Sequence, residues 1–256
     1  MKIFRKIRWS SITKNSFSKY FFYAVGEILL VVLGILIALY INNKKDTSDR
    51  KEKQRNHLIL VQEELENNFL ILEKEEKTLA NIIVNIRDLI NLANSEKSKD
   101  TIKEINLSKL LFLPITRAIE VDYENAAFHE FIASNGLKDI KNDSLRSFLR
   151  SLDRKLQTFK LQENVVHESL DKSNYFIEIN GSLKTIFDNL NFSENYFEVK
   201  NSPNTISNKS ILDSKQFENI LIQYLGVATQ LYKTEYPTFK ESISVLIRII
   251  KEDVNN

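Results

Sequence analysis

Residues 58–89 read LILVQEELENNFLILEKEEKTLANIIVNIRDL. Leu58, Val61, Leu65, Leu72, Leu79, Ile82, Ile86 and Leu89 follow one another in alternating steps of three and four, with Asn68 and Glu75 in the two remaining places. Only a helix brings such positions onto one face, and a stripe this narrow suits a coiled coil or the long helix of a bundle. The spacing predicts a helix from near Thr47 to Asn94, about 70 Å long at the α-helical rise.

Upstream, residues 20–41 read YFFYAVGEILLVVLGILIALYI, with Glu27 as the one charge. As a helix this run is about 33 Å long, enough to cross hydrocarbon. A cleaved signal peptide has a shorter apolar region followed by a small-x-small site, whereas this run ends in Tyr40, Ile41, Asn42, Asn43 and Lys44. A signal anchor is the expectation. Residues 1–19 hold Lys2, Arg5, Lys6, Arg8, Lys14 and Lys19 without an acid, which suits anionic head groups better than nucleic acid when an apolar span follows. The expected organisation is a basic tail (1–19), a transmembrane helix (20–41), a charged juxtamembrane segment (42–56) and an all-α soluble bundle (57–256). Basic residues flank the span evenly, but the tail lacks acids and long following domains translocate largely regardless of charge. This places the N-terminus in the cytoplasm and the domain in the periplasm, across a bacterial inner membrane.

Glu27, Val31, Gly34, Ala38 and Ile41 fall on one face of the apolar helix by their spacing. Glu27 either stays protonated or snorkels toward Lys19 and the head groups, or it meets a partner helix across a face that small Gly34 and Ala38 open to close approach. Glu27, Val31, Gly34 and Ala38 are the candidate interface.

Downstream, Ser95 to Thr101 reads as a polar break, followed by a short helix before the boundary at Leu113 and Pro114. Thr116 to Ser134 reads as helix ending at Asn135 and Gly136, the usual pair for a left-handed cap. Asn142, Asp143 and Ser144 open a second long amphipathic helix through Leu145, Leu149, Leu152, Leu156, Phe159, Val166 and Leu170. Asn191 to Leu212, rich in Asn and Ser, reads as an exposed loop, either binding or mobile. Phe217, Leu221, Tyr224, Ala228 and Leu231 mark another helix, and Phe239, Ile243, Leu246 and Ile250 a last one after Pro237.

Five Gly and three Pro in 256 residues are too few for the turns of a β-rich fold, and 43% hydrophobic residues suffice for a core. With no cysteine, disulfides and thiolate chemistry are excluded. A net charge of +2, with acids and bases interspersed, argues against a nucleic-acid surface. His57, His129 and His167 fit no metal spacing; in HEFIA, Ala133 stands where a zinc HExxH helix needs its second histidine. No Walker lysine loop, GxGxxG or GxSxG is present. No catalytic, cofactor-binding or metal residue is assigned, and no enzyme is expected.

The basic FRKIR start, the run SKYFFYAVGEILLVVLGILIALYINN and the later YENAAFHEFIASNGLKDIKNDSLRSFL together carry a resemblance. The chain resembles a bacterial family of single-pass membrane proteins, frequent in Bacteroidetes-type bacteria and defined as a domain of unknown function. The family's Gly-Glu pair matches Gly26 and Glu27, its GILIAL matches Gly34 to Leu39, and its Asn pair matches Asn42 and Asn43. Here Tyr40 stands where the family often has Gln, and Asn135 is inserted before Gly136. The resemblance covers two blocks and implies an anchored helical protein, with no activity attached. The expectation is a membrane-anchored binding, tethering or scaffold protein of the cell envelope, its partners the bilayer and either a second copy, through the anchor and first long helix, or another envelope protein. An accessory subunit of a transport or sensory complex, and an enzyme with an unrecognised site, are the alternatives.

Overall fold

The computed structural model describes residues 17–255, and all regular structure among them is helical. The first sixteen residues, with Lys2, Arg5, Lys6, Arg8 and Lys14 of the basic tail, lie outside the described residues. The chain divides into two compact units, Met1–Asn56 and His57–Asn256.

Helix α1 (Phe17–Ala93) runs for 77 residues. It is continuous through 42–56, where a separate charged segment was expected before a helix start near Thr47. No Gly or Pro occurs between residues 35 and 113, so nothing in the sequence breaks the backbone ladder. Across the polar stretch, the Asn42 amide donates to Asp46 at 3.1 Å and the Thr47 hydroxyl to the Asn43 carbonyl at 2.7 Å. In the first unit every large apolar side chain of residues 20–41 is exposed.

In the second unit all eight apolar seam residues from Leu58 to Leu89 are buried. Leu65 lies beside Leu152, Leu156, Phe239 and Ile243. The heptads therefore build the core of a bundle within one chain.

Helices α2 (Glu96–Thr101), α3 (Glu104–Thr116), α4 (Ala126–Ala133), α5 (Asp143–Asn180), α6 (Leu183–Asn189), α7 (Phe192–Asn195), α8 (Lys215–Gln230) and α9 (Tyr236–Asn255) complete the described fold. α5 packs against α3, α8 and α9, and α3 against α6. Its start is as expected: the Asn142 side chain accepts from the Leu145 N–H at 3.1 Å, a cap contributing about 1 kcal/mol. Ser214 caps α8 in the same way.

Four boundaries differ from expectation. The polar break at Ser95 contains the short helix α2. Pro114 lies inside the last turn of α3, which ends at Thr116; a proline there forfeits one bond near an end that frays anyway. Between α8 and α9 the chain does not break before Pro237 but passes through a wide π-type turn, Leu231–Glu235.

The largest difference is at residues 117–125, expected to be helical and found without helical structure. Ile119, Val121 and Tyr123 are buried there, and the main chain bonds to side chains of α1 and α5, as described below. Partners distant in sequence have replaced the helical ladder. At the end of α4, Asn135 takes the left-handed conformation with φ 60°, while Gly136 has negative φ and is needed for space: a β-carbon there would overlap the buried Phe131 ring.

Candidate functional site

The four residues of the candidate interface share one face of α1 by helical spacing, and all four belong to the first unit. Val31 and Glu27 are exposed, as are Gly34 and Ala38, and a β-carbon built on Gly34 would meet nothing within 4 Å. At Gly34 the face leaves room for close approach.

The second unit holds a site that no motif announces. Among its buried polar side chains, four belong together: Glu64, Asn68 and Glu75 on α1, and Glu163 on α5. All four act on the strap, residues 117–125, or on the helix it feeds. The Glu64 carboxylate accepts from the N–H groups of Ala127 at 2.7 Å and Phe128 at 3.2 Å. Those are first-turn amides of α4, whose own N-cap residue, Asn125, makes no side-chain cap. A carboxylate on a helix N-terminus satisfies orphan donors and meets the positive end of the dipole.

The Asn68 amide donates to the Glu124 carbonyl at 2.7 Å and accepts from the Glu124 N–H at 2.8 Å. It completes the backbone pair that a neighbouring strand would have supplied. The Arg117 guanidinium donates to Glu75 Oε1 at 2.5 Å, while Glu75 Oε2 is buried without a partner.

Glu163, 3% exposed, receives one N–H from Val121, shared between its oxygens at 3.3 and 3.4 Å. Burial pushes its carboxyl up to about 8, against the pull of that N–H and of Lys160, and Glu120 and Glu75 add to the rise. At neutral pH the group is mainly the neutral acid. Burial and then Glu163 push the Tyr123 hydroxyl up, and Tyr236 rises for the same two reasons. Both hydroxyls are buried without a hydrogen-bond partner. Tyr123 and Tyr236 pack on the same Phe159 ring at 5.7 and 5.4 Å.

Glu163 also lines an open cleft of about 280 Å³ with Ile119, Glu120, Lys160, Asn164 and His167. A neutral buried acid beside a solvent-facing lysine and imidazole can exchange a proton with whatever enters. The residues do not present a nucleophile with an adjacent base, nor an oxyanion site. Among the described residues no group of three or more His, Asp or Glu is placed to hold a metal ion.

The three histidines are apart. His57 faces Glu130 at 4.0 Å, His167 faces Asp171 at 3.7 Å, and His129 lies against the Phe128 ring. The signal for the polar core was present in the seams: Asn68 and Glu75 fill core places in the three-four series, and Glu163 sits in the gap between Phe159 and Val166.

No family model, no curated protein and no solved structure matches this chain.

Proposed function

We propose that the protein is a membrane-anchored helical binding or tethering protein of the bacterial cell envelope, with residues 20–41 as a signal-anchor span and residues 57–256 as a periplasmic domain. The observation that carries this reading is the apolar run itself. Among the described residues, one helix is long and apolar enough to span a bilayer, and none of its most apolar window is buried. Phe22 is 73% exposed, Leu30 64% and Ile41 61%. Side chains of that kind, over about 33 Å of helix, call for hydrocarbon around them. The basic tail before the run and the resemblance of its Gly-Glu, GILIAL and Asn-Asn pattern to a single-pass family support the same reading.

Sidedness is tested with a C-terminal tag and protease added to spheroplasts. Digestion of the domain without lysis is the expected result; protection until detergent is added would place the domain in the cytoplasm and remove the envelope reading.

The open face of Glu27, Val31, Gly34 and Ala38 favours a helix partner within the bilayer, either a second copy or the span of a transport or sensory complex. Gly34→Leu is expected to weaken that association by about tenfold or more, read by crosslinking in membranes. Unchanged crosslinking in both self- and hetero-complexes would leave Glu27 as a snorkelling residue alone.

A further inference from the structure

Residues 187–200 carry a feature that neither the anchor nor the polar core uses. Phe112, Phe187, Phe192, Tyr196 and Phe197 form one connected ring cluster. Phe112 and Phe192 stack at 4.7 Å, Phe187 meets Phe197 edge to face at 5.2 Å, and Tyr196 meets Phe197 at 5.5 Å. None of the five is buried; Tyr196 is 75% and Phe197 46% exposed. The other large ring cluster, around Phe159, lies in the core. Rings gathered at the surface rather than below it mark a contact surface.

The cluster is held in place by bonds, and is not the slack loop that its Asn- and Ser-rich sequence allowed. Lys184 pairs with Asp188 and donates to the Lys200 carbonyl at 2.9 Å. Asp188 accepts from the Ser202 N–H at 2.9 Å. Asn208, fully buried, bonds both the N–H and the carbonyl of Ser182, and its own N–H donates to Glu104 at 2.8 Å. Between the exposed rings and Val199, Glu198 takes the left-handed conformation with φ 57°, uncommon for a residue with a β-carbon. A surface ordered beforehand loses less entropy on binding.

The polar groups beside the rings indicate the occupant. Lys184 is neutralised by Asp188, Glu194 accepts from the Asn201 amide at 3.0 Å, and Glu198 and Lys200 offset one another in net charge. Besides the Glu194 carboxylate, what remains are amides: Asn191, Asn195 and Asn204 are exposed, and their side chains make no hydrogen bond within the described chain. With two lysines against three acids among residues 184–204, the patch carries one net negative charge and offers little to a phosphodiester or an anionic lipid. The rings sit on short helices and a loop, with no three-four stripe to match a partner helix. Aromatic faces accept the C–H faces of sugar rings, and a neutral amide both donates to and accepts from vicinal hydroxyls.

The patch belongs to the end of the second unit where α1 finishes. Lys99 of α2 pairs with Asp213 at 2.6 Å, and Glu104 of α3 holds Asn208, whereas Glu64 and Asn68, early in the buried part of α1, meet residues 124–128.

We propose that the exposed face of Phe187, Tyr196 and Phe197, flanked by Asn191 and Asn195, binds a neutral glycan chain. This names the partner class of the tethering protein and rests on that reading for where the glycan is met.

The test uses the full chain in a detergent without a sugar head group, with chitotetraose as the probe and saturation-transfer NMR as the readout. Transfer to the sugar protons is expected for the wild type, with affinity at least about tenfold weaker in the Tyr196→Ala/Phe197→Ala double variant. Both side chains are exposed, and circular dichroism checks that the fold is kept; Asn195→Ala is expected to weaken binding on its own. No transfer, transfer that survives the double substitution, or patch-dependent binding of a proline-rich peptide or of a second copy in place of the sugar would overturn the proposal. Binding in micelles is indifferent to sidedness, so a failure of the glycan site and a failure of the periplasmic reading are separately visible.

Discussion

Arg117→Ala is expected to destabilise the helical domain by about 3 kcal/mol, read as a lower denaturant midpoint by circular dichroism at neutral pH. Glu75 is 6% exposed, and its Oε1 receives the Arg117 guanidinium at 2.5 Å while Oε2 has no partner. The guanidinium is partly in solvent, so losing it releases little desolvation energy. What the substitution leaves is a carboxylate in the core with no compensating charge. The same substitution made together with Glu75→Gln is expected to recover most of the loss, because the stranded charge is then gone. A change within about 0.5 kcal/mol for Arg117→Ala alone would mean that the pair is screened and energetically idle.

Glu163 carries the second large effect, and its sign follows from the direction of its shift. In the folded protein burial pushes the carboxyl up to about 8, whereas the unfolded chain releases that proton near pH 4. Between those values the folded state holds a proton the unfolded state has lost. The stability contributed is fully present below the unfolded value and is lost as pH rises through the folded one. From about pH 5 to about pH 8 the domain is expected to lose on the order of 3 kcal/mol from this group. Glu163→Gln keeps a neutral side chain of similar shape and should flatten that part of the profile. An equal slope in wild type and variant, measured by denaturant titration across the range, would show that Glu163 is already ionised when folded.

The long helices were legible because their signal is redundant. Eight apolar seam positions on α1 and six buried ones from Leu145 to Leu170 on α5 all repeat one message, and a single misread residue changes nothing. The cap at Asn142 was legible for a local reason: a short polar side chain three residues before a free N–H is enough. The strap was not, because Arg117, Val121 and Glu124 take their partners from residues 42 to 56 positions away. Nothing local in that segment records such partners, and its own composition favours helix. The polar core was half legible. Polar residues at Asn68, Glu75 and Glu163 stand where the pattern demands apolar ones, and that conflict marks a buried network even when its partners are unknown. The aromatic patch was not legible, since Phe and Tyr in a sequence look alike whether they end up in the core or on the surface.

The strap also sets the order in which this domain can assemble. A helix can form its ladder alone, but residues 117–125 have no helical ladder, and the buried side chains that tie them to the bundle are Asn68, Glu75 and Glu163. Those groups come from two helices that must already lie side by side, so the strap is among the last parts to become ordered and the first to feel their separation. Its amides report on the joining of α1 and α5 rather than on either helix. A chain in which both helices are formed but apart would look nearly native by helix content and yet lack this segment altogether.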